Sequence, residues 1–356
     1  MTASFDSAAP SSSSSSSLSS SSFANSFSSL PEQISSLSAD SLTFLRGKAL
    51  VFYRGGEEQQ PMRGWSSEIS SGCCEVEAPE EISLGNGEER DIVGIDSSVI
   101  VLGEAEDGFI LSGKAAVAAR SKGKNQAYLI GPLVFYIGER NIDSLNFFEK
   151  VPRNLILHDS SIAARALRVL LERILAYQLA CNMSDGILLV DGSLKESNFE
   201  VKDASLKQII AESSQRGNYV AAITKNTKIK QLQRIESLLY SLQKPAYLDV
   251  TEVVRLFISG LAANSYLAKL SGDGIPLRMD IPVTQAPDKL IPSIMLSDLI
   301  TNGYPETLRS AHLLSIFTAS EEASVKSRLA RNEGTTVLPS FSIRRAILGR
   351  LEGYKR

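Results

Sequence analysis

Apolar positions change their period several times along this chain, and the changes mark its elements. Ile92 to Leu102 is rich in Ile and Val, with Asp96-Ser97-Ser98 as its polar interruption, and reads as a strand. Glu104 to Gly108 supplies turn residues, Phe109 to Ala118 runs back, and Ala127 to Ile137 follows with Gly131-Pro132 as a bend. These runs predict a hairpin or the start of a meander. The period then becomes helical. Ile162, Leu167, Leu170, Leu171, Ile174, Leu175 and Leu179 predict one long helix over residues 160–183. Ile187-Leu188-Leu189-Val190 is a short unbroken apolar run, the pattern of a buried strand. Ser205 to Arg216 predicts a helix stopped by Gly217, and Tyr219 to Ile223 another strand. Residues 187–225 thus form a β-α-β unit, which implies parallel strands joined by a right-handed crossover.

The flanks are less regular. Residues 1–40 carry the serine runs Ser11–Ser17 and Ser19–Ser22 and are expected to be a disordered tail, because such a segment cannot bury enough apolar surface to offset its ordering entropy. A serine-rich start also suits a plastid transit peptide, but no Lys or Arg precedes Arg46 and Asp6 comes early. Ser41 to Tyr53 is expected to be helical. Trp65, Cys73 and Cys74 lie in a weakly patterned stretch and suggest local packing. Asp249 and Glu252 resemble a capping box opening a helix to about Leu270. Leu277 to Val283 predicts a strand, and Tyr304-Pro305 opens a helix bearing Leu308, Ala311, His312 and Ser315 near one face. The whole of residues 41–356 is expected to be one domain, with a core over roughly 91–245 and a helical C-terminal part over roughly 246–335.

Composition narrows the function classes. The 356 residues are 43% hydrophobic and 22% charged with a net charge of -3, so nucleic-acid binding would need a local basic surface. Lys228, Lys230 and Arg234 offer one, or else an ordinary solvated face. Cys73, Cys74 and Cys181 form no CxxC pair, which supports neither a structural zinc site nor a disulfide scaffold and fits a cytoplasmic, reducing location. No apolar run approaches the roughly 20 residues that span a bilayer.

The candidate chemistry lies in the carboxylates. Asp191 ends the Ile187–Val190 strand, where ligands of open α/β sheets commonly sit, and Gly192 lets the backbone turn away. A plain helix or turn cap is the alternative for Asp191. Asp96 interrupts the first strand, where a carboxylate is costly unless paired or facing solvent on an edge. Glu172 lies beside the apolar stripe of the long helix, either as an i,i+4 partner of Arg168 or as a third acid. First strand, long helix and next strand, each with an acid, is the layout of a ribonuclease H-like mixed sheet flanked by helices, here with additional C-terminal helices. Three converging acids repel unless hard divalent cations bind between them. Two such ions can activate water and stabilise a leaving oxygen in phosphodiester hydrolysis.

Four segments in this order resemble the NurA nuclease family: Ile95-Asp96-Ser97-Ser98, Leu189-Val190-Asp191-Gly192-Ser193-Leu194, Ile223-Thr224-Lys225, and Gly303-Tyr304-Pro305-Glu306-Thr307-Leu308-Arg309-Ser310-Ala311-His312. The resemblance covers roughly residues 45–335. It implies a Mn2+- or Mg2+-dependent nuclease on single- and double-stranded DNA, with 5′ to 3′ exonuclease action. It also implies a homodimer docked on a hexameric HerA-type translocase in DNA end resection and repair. Asp96, Glu172, Asp191 and His312 would then hold metal, with Lys225 and Tyr304 completing the catalytic set. One departure stands out: Ser97 occupies the position where the family motif carries glycine. Two rivals remain at this stage. One is a non-catalytic module that binds DNA or the translocase. The other is a phosphatase with Asp191 as nucleophile, which Ser193 in place of a second Asp disfavours.

Overall fold

The computed structural model describes residues 30–53, 77–142, 153–225, 227, 229–331 and 335–338. Trp65, Cys73, Cys74, Lys228, the serine runs and residues 339–356 lie outside these.

Helix α1 (Leu30–Thr43) precedes strands β1 (Ala49–Phe52) and β2 (Glu80–Glu81). The meander follows as β3 (Ile92–Ala105), β4 (Gly108–Ser121) and β5 (Lys124–Gly138). Helices α2 (Arg153–His158) and α3 (Ser160–Asn182) lead to β6 (Ile187–Asp191), α4 (Leu206–Gln215) and β7 (Tyr219–Thr224). Then come α5 (Lys230–Tyr240), β8 (Ala246–Asp249), α6 (Thr251–Arg255), β9 (Ala263–Lys269), β10 (Leu277–Pro282) and α7 (Pro287–Ser297). The chain closes on β11 (Ile300–Thr301), β12 (Tyr304–Pro305), α8 (Glu306–Ser315), α9 (Ala319–Ala330) and β13 (Thr336–Leu338).

Among the described residues, eleven strands form one mixed sheet. Its centre runs β5-β4-β3-β6-β7: an antiparallel meander whose first strand pairs in parallel with β6, and β6 in parallel with β7. This is the ribonuclease H-like order. Strand β10 then pairs antiparallel with β7, and β9, β8 and β2 extend that edge.

Alternation along β3 and β6 sorts the two faces. Val93, Ile95, Leu188 and Val190 pack with α3, whereas Ile92, Ile187 and Leu189 pack with α7 and with Leu308 of α8. Helix α3 fulfils the long-helix expectation: Asp159 caps it through Ser161 N, and its Leu/Ile stripe is buried. Ser205 and Gln208 form a reciprocal capping box at the start of α4.

Three local expectations need correction. Helix α1 begins inside the segment expected to be a disordered tail and ends where a helix was expected to begin. Ile34 of α1 is buried, Ser38 Oγ donates to Val134 O, and Ser41 Oγ accepts from Tyr136 N, so serines cover the outer edge of β5. Residues 49–52 are strand rather than helix because they pair with β3 and β13. The helix expected from Asp249 to Leu270 is only α6, since the chain turns at Gly260 (φ +73°) and residues 263–269 join the sheet as β9. Residues 246–335 therefore hold strands β8 to β12 together with the C-terminal helices α6 to α9.

Candidate metal centre

Parallel register builds the site. Ile95 pairs with Val190, so the next residues, Asp96 and Asp191, lie side by side where β6 ends and β3 continues. Both share the parity of Ile92 and Leu189 and emerge on the α8 face. Helix α8 lies close against β3 because residue 94 is glycine: a Cβ there would sit 2.8 Å from the backbone of Thr307 and Leu308. Asp298 fixes the start of α8 by accepting from Thr307 N (3.0 Å) and Thr307 Oγ1 (2.6 Å). Two turns on, α8 delivers His312 with Nδ1 2.7 Å from Asp96 Oδ2 and 3.9 Å from Asp191 Oδ2. Ser315, one turn further, donates to the same Asp96 oxygen at 2.9 Å.

Asp96, Asp191 and His312 thus place one ligand atom each within 4.8 Å of one another. Lys225 leaves the end of β7 and puts Nζ 2.8 Å from Asp191 Oδ2 and 5.3 Å from the centre of the Tyr304 ring. The Tyr304 hydroxyl is buried without a hydrogen-bond partner among the described residues. Burial raises its pKa far above the ordinary phenol value, and Asp191 and Asp96 add to the shift, so it remains a proton donor.

Glu172 stands apart from this cluster. It comes from α3, on the opposite face of the sheet, and meets Ser97, whose parity is opposite to that of Asp96. Ser97 Oγ donates to Glu172 Oε1 at 3.0 Å, and Arg168 Nε lies 3.8 Å from the same oxygen. Burial pushes the Glu172 carboxyl up to about 7; Arg168 opposes the shift and Asp96 adds to it. Ser97 therefore holds Glu172 in place. Asp191 and Glu172 both line an open cleft of ≈ 670 Å³ between α3 and residues 190–199.

The turn after Asp191 is held at several points. Gly192 adopts φ +118°, a conformation that favours glycine. Gly192 N donates to Ile223 O, and Thr224 Oγ1 donates to Gly192 O at 2.5 Å. Asp280 of β10, fully buried, accepts from Ser193 Oγ at 2.6 Å and Leu194 N at 3.2 Å. It also accepts from Ser265 Oγ and Arg278. Sequence reading placed this strand but missed Asp280. The available signal was an Arg and an Asp two residues apart inside an otherwise apolar run.

The donor set suits a divalent cation. Two carboxylate oxygens and an imidazole nitrogen converge, and Lys225 pairs with one of the two carboxylates. The Tyr304 hydroxyl, buried near Asp191 and Asp96 and without a hydrogen-bond partner among the described residues, is left for an oxygen-rich ligand to satisfy.

A family model described as the NurA domain matches residues 90–315, which span β3 to α8 and contain all six candidate residues. Comparison with curated proteins finds no match. Among solved structures, a NurA nuclease from Sulfolobus solfataricus is 14% identical with a TM-score of 0.47, covering 72% of this chain and 86% of that one. A structure of NurA bound to dAMP and manganese is 11% identical with a TM-score of 0.40, covering 72% and 90%. An endonuclease V from Streptomyces avermitilis is 14% identical with a TM-score of 0.32, covering 72% and 89%.

Proposed function

The chain belongs to the NurA domain family, and from that premise we propose that it is a divalent-metal-dependent deoxyribonuclease. The convergence of Asp96, Asp191 and His312 within 4.8 Å is the observation that carries this reading. Asp96 and Asp191 are the proposed metal ligands. His312 joins them, and Glu172 completes the set from the cleft side. Divalent ions bound at such a site, manganese or magnesium, lower the pKa of water and offset charge on a phosphodiester.

The chain's own groups account for the rest. Lys225 neutralises Asp191 and is placed to hold a non-bridging phosphate oxygen. Tyr304 Oη donates a hydrogen bond to the same phosphate, which gives that buried group its missing acceptor. Ser315 and His312 fix the Asp96 carboxylate, and Ser97 fixes Glu172. The clamped turn at Gly192 keeps Asp191 from swinging out of the site. Under this reading the reaction is of the two-metal-ion type, with attack of water on phosphorus and departure of the 3′-oxygen.

The proposal extends to 5′ to 3′ exonuclease action on single- and double-stranded DNA, a homodimer, and a hexameric HerA-type partner in end resection. Among the described residues, no helix is long and apolar enough to cross a membrane.

End-labelled linear DNA incubated with the protein and manganese tests the reading. The wild type should degrade it, while the Asp191→Ala variant and a chelator control should leave it intact. DNA bound but never degraded, with or without a HerA-type partner, would replace the nuclease with a binding module. Cleavage undiminished in Asp191→Ala would remove the site assignment.

A further inference from the structure

Helix α8 is anchored at both ends, and the second anchor lies on β4. Asp298 holds the first turn of α8, but His312 and Ser315, which meet Asp96, stand in the last. The sheet beneath that last stretch gives little grip. Ala116 is the register partner of Asp96, and with Ala118 it packs against Ala311. Small side chains bring the helix close with few atoms to hold it. Lys114, two residues earlier on the same face of β4, does hold it. Its Nζ donates to Ile316 O at 2.9 Å, immediately after the helix, and to Glu321 Oε1 at 2.8 Å.

A lysine is a poor choice there for stability alone. Lys114 is 3% exposed, and an ammonium taken out of water is costly even when paired. A packed Leu or Met would serve the sheet as well. What a cation adds is a directed hold on the carbonyls that a helix leaves unsatisfied at its C-terminal end. The Phe317 ring lies 5.4 Å from the same Nζ. Glu321 forms the α9 capping box with Thr318, and the hydrogen bond from Lys114 leads the contacts that pull its carboxyl down to about 2. Lys114 thus grips the junction of α8 and α9 from both sides.

The sheet is also shaped around this residue. Gly113 pairs with Leu133 and Ala115 with Ile130, so two residues of β5 face Lys114 alone. Such bulges gather beside functional sites, where they re-aim a side chain. We propose that Lys114 is a positioning residue: by clamping the end of α8 to β4 it keeps Ser315 and His312 on Asp96 and so shapes the candidate metal centre. The inference rests on the metal-centre reading for its manganese readout and on geometry for the rest.

Nitrogen NMR of ring-labelled histidine, recorded in chelator, reads the clamp without metal or substrate. The chain has two histidines, so His158→Gln assigns both signals. Above the pH at which imidazole is protonated, wild-type His312 should be the Nδ1–H tautomer, donating to Asp96 Oδ2. Lys114→Met should return it toward the Nε2–H form that a free imidazole favours. In calorimetric titration without DNA, the same variant should bind manganese about tenfold more weakly. Glu321→Gln keeps a capping-box residue while removing the charge that partners Lys114. It should shift both readouts in the same direction by less. Lys48→Met is the control: Lys48 is also buried and paired with Asp107, beyond the far end of β3. That end is roughly 30 Å of strand from Asp96. The control should melt lower and keep the wild-type tautomer and manganese affinity.

An unchanged tautomer or an unchanged manganese affinity in Lys114→Met overturns the inference, as does equal loss in Lys48→Met. A wild type without the Nδ1–H form overturns it too. If Lys114→Met does not fold, the same outcomes in Glu321→Gln decide. A tautomer that depends on Lys114 in a protein that binds no manganese would leave the clamp standing and remove the metal centre. Manganese cleavage with neither readout altered in Lys114→Met would keep the nuclease and remove the clamp.

Discussion

Asp280 accepts a 2.6 Å hydrogen bond from Ser193, two residues beyond Asp191, so a buried carboxylate on β10 anchors the turn that presents the site. The same carboxylate is 3.2 Å from the guanidinium of Arg278, and both side chains are almost fully buried. Removing one partner of a buried pair strands the other charge and costs about 3–5 kcal/mol. Asp280→Ala should therefore lose about that much in urea denaturation. Ser193→Ala, which removes a single hydrogen bond, should lose about 1 kcal/mol and still reduce cleavage. A loss below 1 kcal/mol for Asp280→Ala would mean that the pair does not hold the turn.

Glu172 makes the fold sensitive to pH. Its carboxyl is raised from 4.5 to about 7 in the folded chain, chiefly by burial. Between those values the folded state holds a proton that the unfolded state has released, so stability falls as pH rises from 4.5 to 7 and is level beyond. The shift corresponds to about 3 kcal/mol. Glu172→Gln should remove this slope and be the more stable protein above pH 7, in melts recorded without divalent ions. It should cleave poorly if the carboxylate is a ligand. An unchanged pH–stability profile would contradict the burial of Glu172 described here.

Tyr304 carries a similar trade. A buried hydroxyl with no acceptor costs about 1–3 kcal/mol of solvation. Tyr304→Phe should be as stable as the wild type or up to about 1 kcal/mol more stable, while cleavage falls at least tenfold. A variant that is less stable and fully active would show that the hydroxyl has a structural partner and no role with substrate.

The central sheet was legible because its strands are dense in Ile, Val and Ala and its long helix repeats cleanly. The order of Asp96, Glu172 and Asp191 along the chain gave the topology of the site. It did not give the face on which each acid emerges. Asp96 and Ser97 are neighbours in sequence but point to opposite sides of β3, and only the paired register shows that Asp96 joins Asp191 and His312 while Ser97 meets Glu172. Helix α1 was hidden by its serines, whose hydroxyls serve the edge of β5 and not solvent. Strand β9 was mistaken for helix because Asp249 does accept from Thr251 N at 2.8 Å, but the helix that follows, α6, is five residues long and starts at Val250 without a side-chain cap. Asp280 was missed because Ser193, Leu194 and Ser265, which give it its role, lie in the turn after β6 and in β9, apart from it along the chain.

Anomalous diffraction from crystals soaked in manganese addresses the central claim most directly. A manganese peak is expected within about 2.5 Å of carboxylate oxygens from both Asp96 and Asp191, lost in the Asp191→Ala variant. Manganese bound elsewhere, or retained unchanged in that variant, would contradict it.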